Sequence, residues 1–212
     1  MWINHHKKLL FFHVPKTGGH AIQLSLLDNK NFKDDPKGYE KWQVVLGMHG
    51  SFSDFKERLP ELYENVKDNY YKFNFVRNPW SHALSFYFHD IDVDRFFTQY
   101  GNEFNPKDFN DFKWWLETKY KSQSYYTFNN EVYHYDEIFK YEEIKEVWPI
   151  IAEKCDYVQR DLYYYPNVMN KNKENVLGLE YPEDYRTFYD DETKEIVRQK
   201  GLKEIEMFNY EF

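Results

Sequence analysis

A lysine, a threonine and two glycines follow an apolar run near the start of the chain. Residues 9–14 read LLFFHV, and residues 15–19 read PKTGG. The apolar run predicts a buried strand, and the pattern of residues 21–27 predicts a helix. A turn from a strand into a helix points backbone N–H groups at one spot, where Gly18 and Gly19 permit close approach and Lys16 adds charge. We therefore predict a phosphate or sulfate site at this turn.

An arginine stands at the end of another predicted strand. Residues 70–76 read YYKFNFV, an aromatic and partly alternating run, and Arg77 follows directly. Ligands of open α/β sheets bind at the carboxyl ends of strands, and an arginine fork suits a phosphate. Ser85 lies two turns into a helix that we predict to begin near Pro79. Arg77 and Ser85 are therefore predicted to form a second anion site.

A nucleotide with phosphates on both sides of its ribose would occupy two such sites. The segments FFHVPKTGG and FNFVRNPWSHALSFY resemble the sulfotransferases that use 3′-phosphoadenosine 5′-phosphosulfate (PAPS), in the branch of carbohydrate sulfotransferases and small bacterial relatives. Residues 185–192 and 206–212 are also similar, so the likeness spans most of the chain. The resemblance implies that one group of residues holds the 5′-phosphosulfate, namely Lys16, Thr17, Gly18, Gly19, His20 and Ala21. It also implies that Arg77 and Ser85 hold the 3′-phosphate.

The resemblance further implies an α/β fold of three layers, like that of P-loop NTPases, with a mostly parallel central sheet flanked by helices. It implies a single domain over residues 1–212. The implied reaction transfers a sulfuryl group from PAPS to an acceptor hydroxyl, on a carbohydrate, and releases 3′-phosphoadenosine 5′-phosphate (PAP). Independently of the resemblance, predicted strands alternate with predicted helices, which favours an α/β domain.

Transfer to a hydroxyl needs a group that accepts its proton, and an imidazole has a suitable pKa. His49 follows a predicted strand at residues 42–46 and precedes a predicted helix whose cap is Ser51 or Ser53. It should therefore lie at the same sheet edge as Lys16 and Arg77, and the family carries its usual base at the matching place. Glu142 is a weaker second candidate for the base. Lys16 is predicted to stabilise charge on the departing 5′-phosphate.

Two other functions stay open. A small-molecule kinase would need Gly, four residues and then Gly-Lys-Ser or Gly-Lys-Thr, which the chain lacks. Its strand would also end in a metal-binding Asp rather than in Arg77, so we expect no metal. A catalytically silent nucleotide-binding or interaction module is the second alternative. It is motivated by His20, His82 and Met48, which replace a hydroxyl residue, an arginine and a lysine of the family pattern.

The composition of the chain limits the ligands and partners that it can bind. The 212 residues carry a net charge of −8, which disfavours nucleic acids and heavily sulfated polymers as ligands. Cys155 is the single cysteine, so neither an intramolecular disulfide nor a cysteine-rich metal site can form. The sequence has no apolar run of about 20 residues, and we expect a cytoplasmic protein without membrane insertion. Tyr125, Tyr126 and residues 163–165 are candidates for stacking on the acceptor.

Four further helices, one further strand and one loop complete the prediction. The helices are expected at residues 51–59, 109–120, 142–155 and 191–201, the last capped by Asp190 or Asp191. A short strand is expected at residues 137–141. Residues 122–130 are polar and aromatic and are predicted to form a loop.

Overall fold

A computed structural model describes residues 1–27, 43–45, 49–98, 111–128, 135–154 and 179–212. The chain divides into two compact units. The first comprises Met1–Arg77 and Gln123–Tyr165, and the second comprises Asn78–Ser122 and Pro166–Phe212. Predictions for residues 42, 46–48, 109–110, 129–130 and 155–178 fall outside the described residues.

A five-stranded sheet forms the centre of the first unit. Its strands follow the order β3-β1-β2-β4-β5. β2 pairs parallel to β4 and β4 pairs parallel to β5, whereas β1 runs antiparallel to both β2 and β3. The strands are β1 (Trp2–Asn4), β2 (Leu9–Phe12), β3 (Gln43–Val44), β4 (Tyr71–Val76) and β5 (Glu137–Lys140).

The predicted mostly parallel sheet is therefore mixed in its pairings. The difference comes from β1, whose three residues are too few for a hydrophobic pattern to reveal a strand. The three neighbours β2, β4 and β5 are parallel. Their carboxyl ends consequently meet at one edge of the sheet, near Lys16 and Arg77.

Helices cover both faces of this sheet. The described helices, in chain order, are α1 (Gly19–Leu27), α2 (Phe52–Arg58), α3 (Pro60–Val66), α4 (Pro79–Thr98), α5 (Phe112–Thr118), α6 (Gln123–Thr127), α7 (Ile144–Lys154), α8 (Asp191–Lys200) and α9 (Leu202–Phe208). Phe11 and Phe73 face α1 and α7, whereas Leu10 and Phe12 face α2 and α3. The chain thus has the α/β architecture with a helix-flanked sheet that the sequence predicts.

Local sequence explains most helix starts. Ser51 caps α2 through a capping box with Asp54, and Asp190 caps α8 in the same way with Thr193. Both caps confirm predictions, as does the position of Pro79 in the first turn of α4. The predicted loop at residues 122–130 is wrong, because α6 occupies its centre. α6 has only five residues and no apolar period, so contacts with distant residues stabilise it.

The second unit is a cluster of helices around aromatic side chains. Trp80, Tyr87 and Trp115 are almost fully buried in its core. His82 is completely buried there as well, and its Nδ1 lies 3.0 Å from the hydroxyl of Tyr120. His82 therefore has a structural role in this core.

No helix in the described ranges is long and apolar enough to cross a membrane.

Candidate active site

Two residues of the turn after β2 adopt left-handed backbone angles. Lys16 and Gly18 have positive φ angles of 61° and 77°. The buried Thr17 hydroxyl donates to the carbonyl of Val14 at 2.9 Å, which closes the turn. The N–H of Ile22 donates to the carbonyl of Gly18, so α1 begins directly after the turn. N–H groups of a first helical turn lack intrahelical partners and favour an anion, so the anion site at this turn stays a prediction.

Gly19 is required by close packing against His13. A Cβ atom at Gly19 would lie 1.8 Å from Cδ2 of His13. The His13 ring is 6% exposed and stacks on Phe11, with ring centroids 5.8 Å apart. This ring lies beneath the turn, so a side chain at Gly19 would push the turn away from the sheet.

We expect Gly19→Ala to destabilise the protein by about 1–3 kcal/mol, because the added methyl group cannot fit without moving His13. Urea unfolding of the full chain measures this loss. The matched control is the same substitution in a His13→Ala background, where the ring is gone and the additional loss should be much smaller. An equal loss in both backgrounds would contradict the packing explanation.

Arg77 and the Lys16 turn come together, as the sequence predicts. Nη1 of Arg77 donates to the carbonyl of Lys16 at 3.2 Å. The guanidinium also lies over the ring of Tyr141, 4.8 Å from its centroid. A Cβ at Gly18 would lie 2.6 Å from Cε2 of the same ring. Tyr141 therefore contacts both predicted anion-binding segments.

Sequence reasoning missed Tyr141. The chain has 20 tyrosines, and no local pattern distinguishes this one. Its position offers a signal in retrospect, since it directly follows β5, which is a parallel neighbour of β4. A residue after the carboxyl end of a third parallel strand belongs to the same sheet edge.

His49 is held with one ring nitrogen directed at the backbone. Its Nδ1 lies 3.1 Å from the carbonyl oxygen of His13. A carbonyl can only accept, so Nδ1 carries the proton and Nε2 bears the lone pair. The two imidazole rings meet edge to face, with centroids 4.5 Å apart. This tautomer leaves Nε2 of His49 as the basic atom.

Both imidazoles favour the neutral form. Partial burial lowers the pKa of His49, and the charge of Lys16 lowers it further, although the hydrogen bond to His13 opposes the change. Deep burial and the neighbouring His49 hold the pKa of His13 well below the ordinary value. Among the described residues, none hydrogen-bonds Nδ1 of His13. His49 is therefore neutral and able to accept a proton at neutral pH.

The other predicted site residues are distributed as follows. His20 is exposed and Ala21 is half-buried, both in the first turn of α1. Ser85 is buried on α4 in the second unit, so its joint action with Arg77 stays a prediction. Glu142 is exposed in a short 3₁₀ helix, Tyr141–Glu143. Met48 lies outside the described residues.

Among the described residues, no group of three or more His, Cys, Asp or Glu side chains could hold a metal ion.

Comparison with known proteins identifies the family. A model described as the sulfotransferase family matches residues 1–211. The chain belongs to the sulfotransferase family. This match confirms the resemblance stated from FFHVPKTGG and FNFVRNPWSHALSFY, and it assigns the chain to the transferases. No curated protein and no solved structure matches this sulfotransferase significantly.

Proposed function

We propose that this sulfotransferase transfers a sulfuryl group from PAPS to an acceptor hydroxyl, with a carbohydrate as the acceptor class. The observation that carries the proposal is the contact between Arg77 and the Lys16 turn beside His49. One sheet edge thus offers two groups for anions and one base. We further propose that residues 1–212 act as one domain of the P-loop-like type, which the family match across both units supports.

The residues present suit a nucleotide with two anionic ends. The Lys16 turn offers backbone N–H groups and an ammonium for a 5′-phosphosulfate. A guanidinium has five N–H donors, so Arg77 can serve the carbonyl of Lys16 and a 3′-phosphate together. The hydroxyl of Thr17 acts in this scheme by closing the turn, since it donates to Val14.

The chemistry assigns one task to each group. PAPS, the donor substrate, supplies a sulfuryl group that is already activated by its bond to a phosphate. Nε2 of His49 accepts the proton of the acceptor hydroxyl while the hydroxyl oxygen bonds to sulfur and the bond from sulfur to the phosphate oxygen breaks. Lys16 and the N–H groups of α1 stabilise the charge that develops on the 5′-phosphate of PAP. Arg77 binds the 3′-phosphate.

A neutral or lightly charged sugar is the acceptor that we favour. The net charge of −8 repels strongly anionic polymers. Tyr125 on α6 is 44% exposed and packs edge to face against Tyr126, so the pair offers an aromatic surface in the first unit. Aromatic rings of this kind stack on the apolar faces of sugars.

One of the three departures that motivate the silent-module alternative lies in the core of the second unit. His82 replaces a family arginine, yet its ring is buried in the second unit and bonded to Tyr120. The replacement therefore has a packing explanation that does not involve the nucleotide. The kinase alternative remains opposed by the order of Lys16 and the glycines and by Arg77 at the strand end.

Thermal-shift measurements test which nucleotide the protein binds, and labelled PAPS tests whether it transfers sulfate. We expect PAP to raise the melting temperature without magnesium, and ATP with magnesium to have less effect. Sulfate label from PAPS should then pass to members of a panel of neutral glycans and phenols. Stabilisation by ATP with magnesium alone would favour the kinase. Binding of PAP without any release of PAP from PAPS would favour the silent module.

A further inference from the structure

The side-chain amide of Gln123 forms two hydrogen bonds with the backbone of Arg77. Its Nε2 donates to the carbonyl oxygen of Arg77 at 2.6 Å, and its Oε1 accepts from the N–H of Arg77 at 2.6 Å. The side chain is 1% exposed, so no solvent competes for these bonds. One side-chain amide thus makes the two hydrogen bonds that the backbone of a neighbouring strand would otherwise make with Arg77.

The sheet itself provides no such pairing at Arg77. The ladder between β4 and β5 ends at Val76 opposite Lys140. The ladder between β2 and β4 ends earlier, at Phe12 opposite Asn74. Buried backbone N–H and carbonyl groups need partners, and Gln123 supplies both at the first position beyond the strand.

α6 is attached to β4 at a second point. Nδ2 of Asn74 lies 3.3 Å from the hydroxyl of Thr127, and both residues are buried. Gln123 and Thr127 are the first and last residues of α6. This helix therefore supports the end of β4, and Gln123 joins it to the residue that carries the guanidinium.

The two hydrogen bonds of Gln123 hold the backbone from which the Arg77 side chain extends to the carbonyl of Lys16 and the ring of Tyr141. Of the side chains with this length, only glutamine has both a donor and an acceptor at its end. Methionine has a similar size and neither function, and glutamate lacks the donor.

We propose that Gln123 is a positioning residue for the nucleotide site, which acts by fixing the backbone of Arg77. The proposal rests on the proposed function, in which Arg77 binds the 3′-phosphate of PAPS. In this proposal Gln123 acts through Arg77 rather than as a ligand, because its buried amide pairs with the N–H and the carbonyl of Arg77.

The test is a double-mutant cycle with PAP binding by the full chain as its readout. Gln123→Met should weaken PAP binding between about 10- and 100-fold, as the loss of a supporting partner commonly does. The KM of Gln123→Met for PAPS should also rise, while its kcat at saturating PAPS changes much less. In an Arg77→Ala background, Gln123→Met should weaken PAP binding no further. Thr127→Val is the matched control, since it removes the other attachment of α6 and should leave PAP affinity unchanged.

The alternative outcomes separate this inference from the proposed function. Equal weakening with and without Arg77 would mean that Gln123 only stabilises the fold, and it would overturn the inference. Unchanged affinity in Gln123→Met, with a loss in Arg77→Ala, would overturn the inference and leave the proposed function standing. Unchanged affinity in Arg77→Ala would overturn both. If Gln123→Met does not fold, Gln123→Glu, which keeps the acceptor for the Arg77 N–H, gives the same readout.

Discussion

Replacement of Lys16 by methionine is expected to lower the turnover of PAPS about 10²- to 10³-fold, the usual effect of removing one charge-stabilising group. The ammonium lies in the turn that receives the 5′-phosphosulfate, where negative charge grows as the bond to sulfur breaks. Methionine keeps most of the length of the side chain and removes the charge. PAP affinity should fall much less than kcat, because the charge on the leaving phosphate is greatest in the transition state.

The backbone at Lys16 offers a control for folding. Its φ of 61° is unfavourable for residues other than glycine. Lys16→Gly should therefore unfold at a higher urea concentration than Lys16→Met, yet be just as inactive. Lys56→Met, on the exposed side of α2, should leave turnover unchanged. Near-normal turnover in Lys16→Gly would remove Lys16 from the chemistry.

His49→Asn is expected to lower kcat about 10²- to 10⁴-fold, since the reaction loses its general base. The asparagine amide can still donate to the carbonyl of His13, so the backbone contact is preserved. Glu142→Gln is the matched comparison for the weaker candidate and should retain most of the activity. If Glu142→Gln lowered kcat in a PAPS turnover assay more than His49→Asn does, Glu142 would be the base.

The pH profile adds a second check on His49. Only the neutral imidazole accepts a proton, so the rate falls as the pH drops through the pKa of His49. That pKa is lowered from the ordinary value of 6.5, mainly by burial. The acid limb of kcat/KM should therefore lie below pH 6.5 and should be absent in His49→Asn. A limb above pH 6.5, or one that persists in the variant, would contradict the assignment.

Local patterns in the sequence predict the parts of the site that depend on short segments. Residues 9–19 contain a buried strand, a positively charged turn and the start of a helix, and each has its own local signal. The same holds for Ser51, whose capping box is readable from the residues that follow it. These signals place Lys16 and His49 at one edge because parallel strands end together.

Residues that act over long sequence distances have no such signal. Gln123 lies 46 positions from Arg77, within a stretch that reads as a loop because it lacks apolar periodicity. Tyr141 owes its place to β5, whose partner β4 is remote in sequence. The tautomer of His49 depends on the backbone carbonyl of His13. Every residue has a backbone carbonyl, so the sequence gives no signal for this contact. Tertiary contacts alone define these three features.

Calorimetric titration with PAP and with adenosine 5′-phosphate tests most directly whether the Lys16 turn and Arg77 form one nucleotide site. The two ligands differ only in the 3′-phosphate. A charge-assisted contact to that group contributes about 1.5–3 kcal/mol, so we expect PAP to bind roughly 10- to 150-fold more tightly. Arg77→Ala should abolish most of this difference, and Arg58→Ala, an exposed arginine on α2, should preserve it. Equal affinities of the natural chain for the two ligands would contradict the assignment.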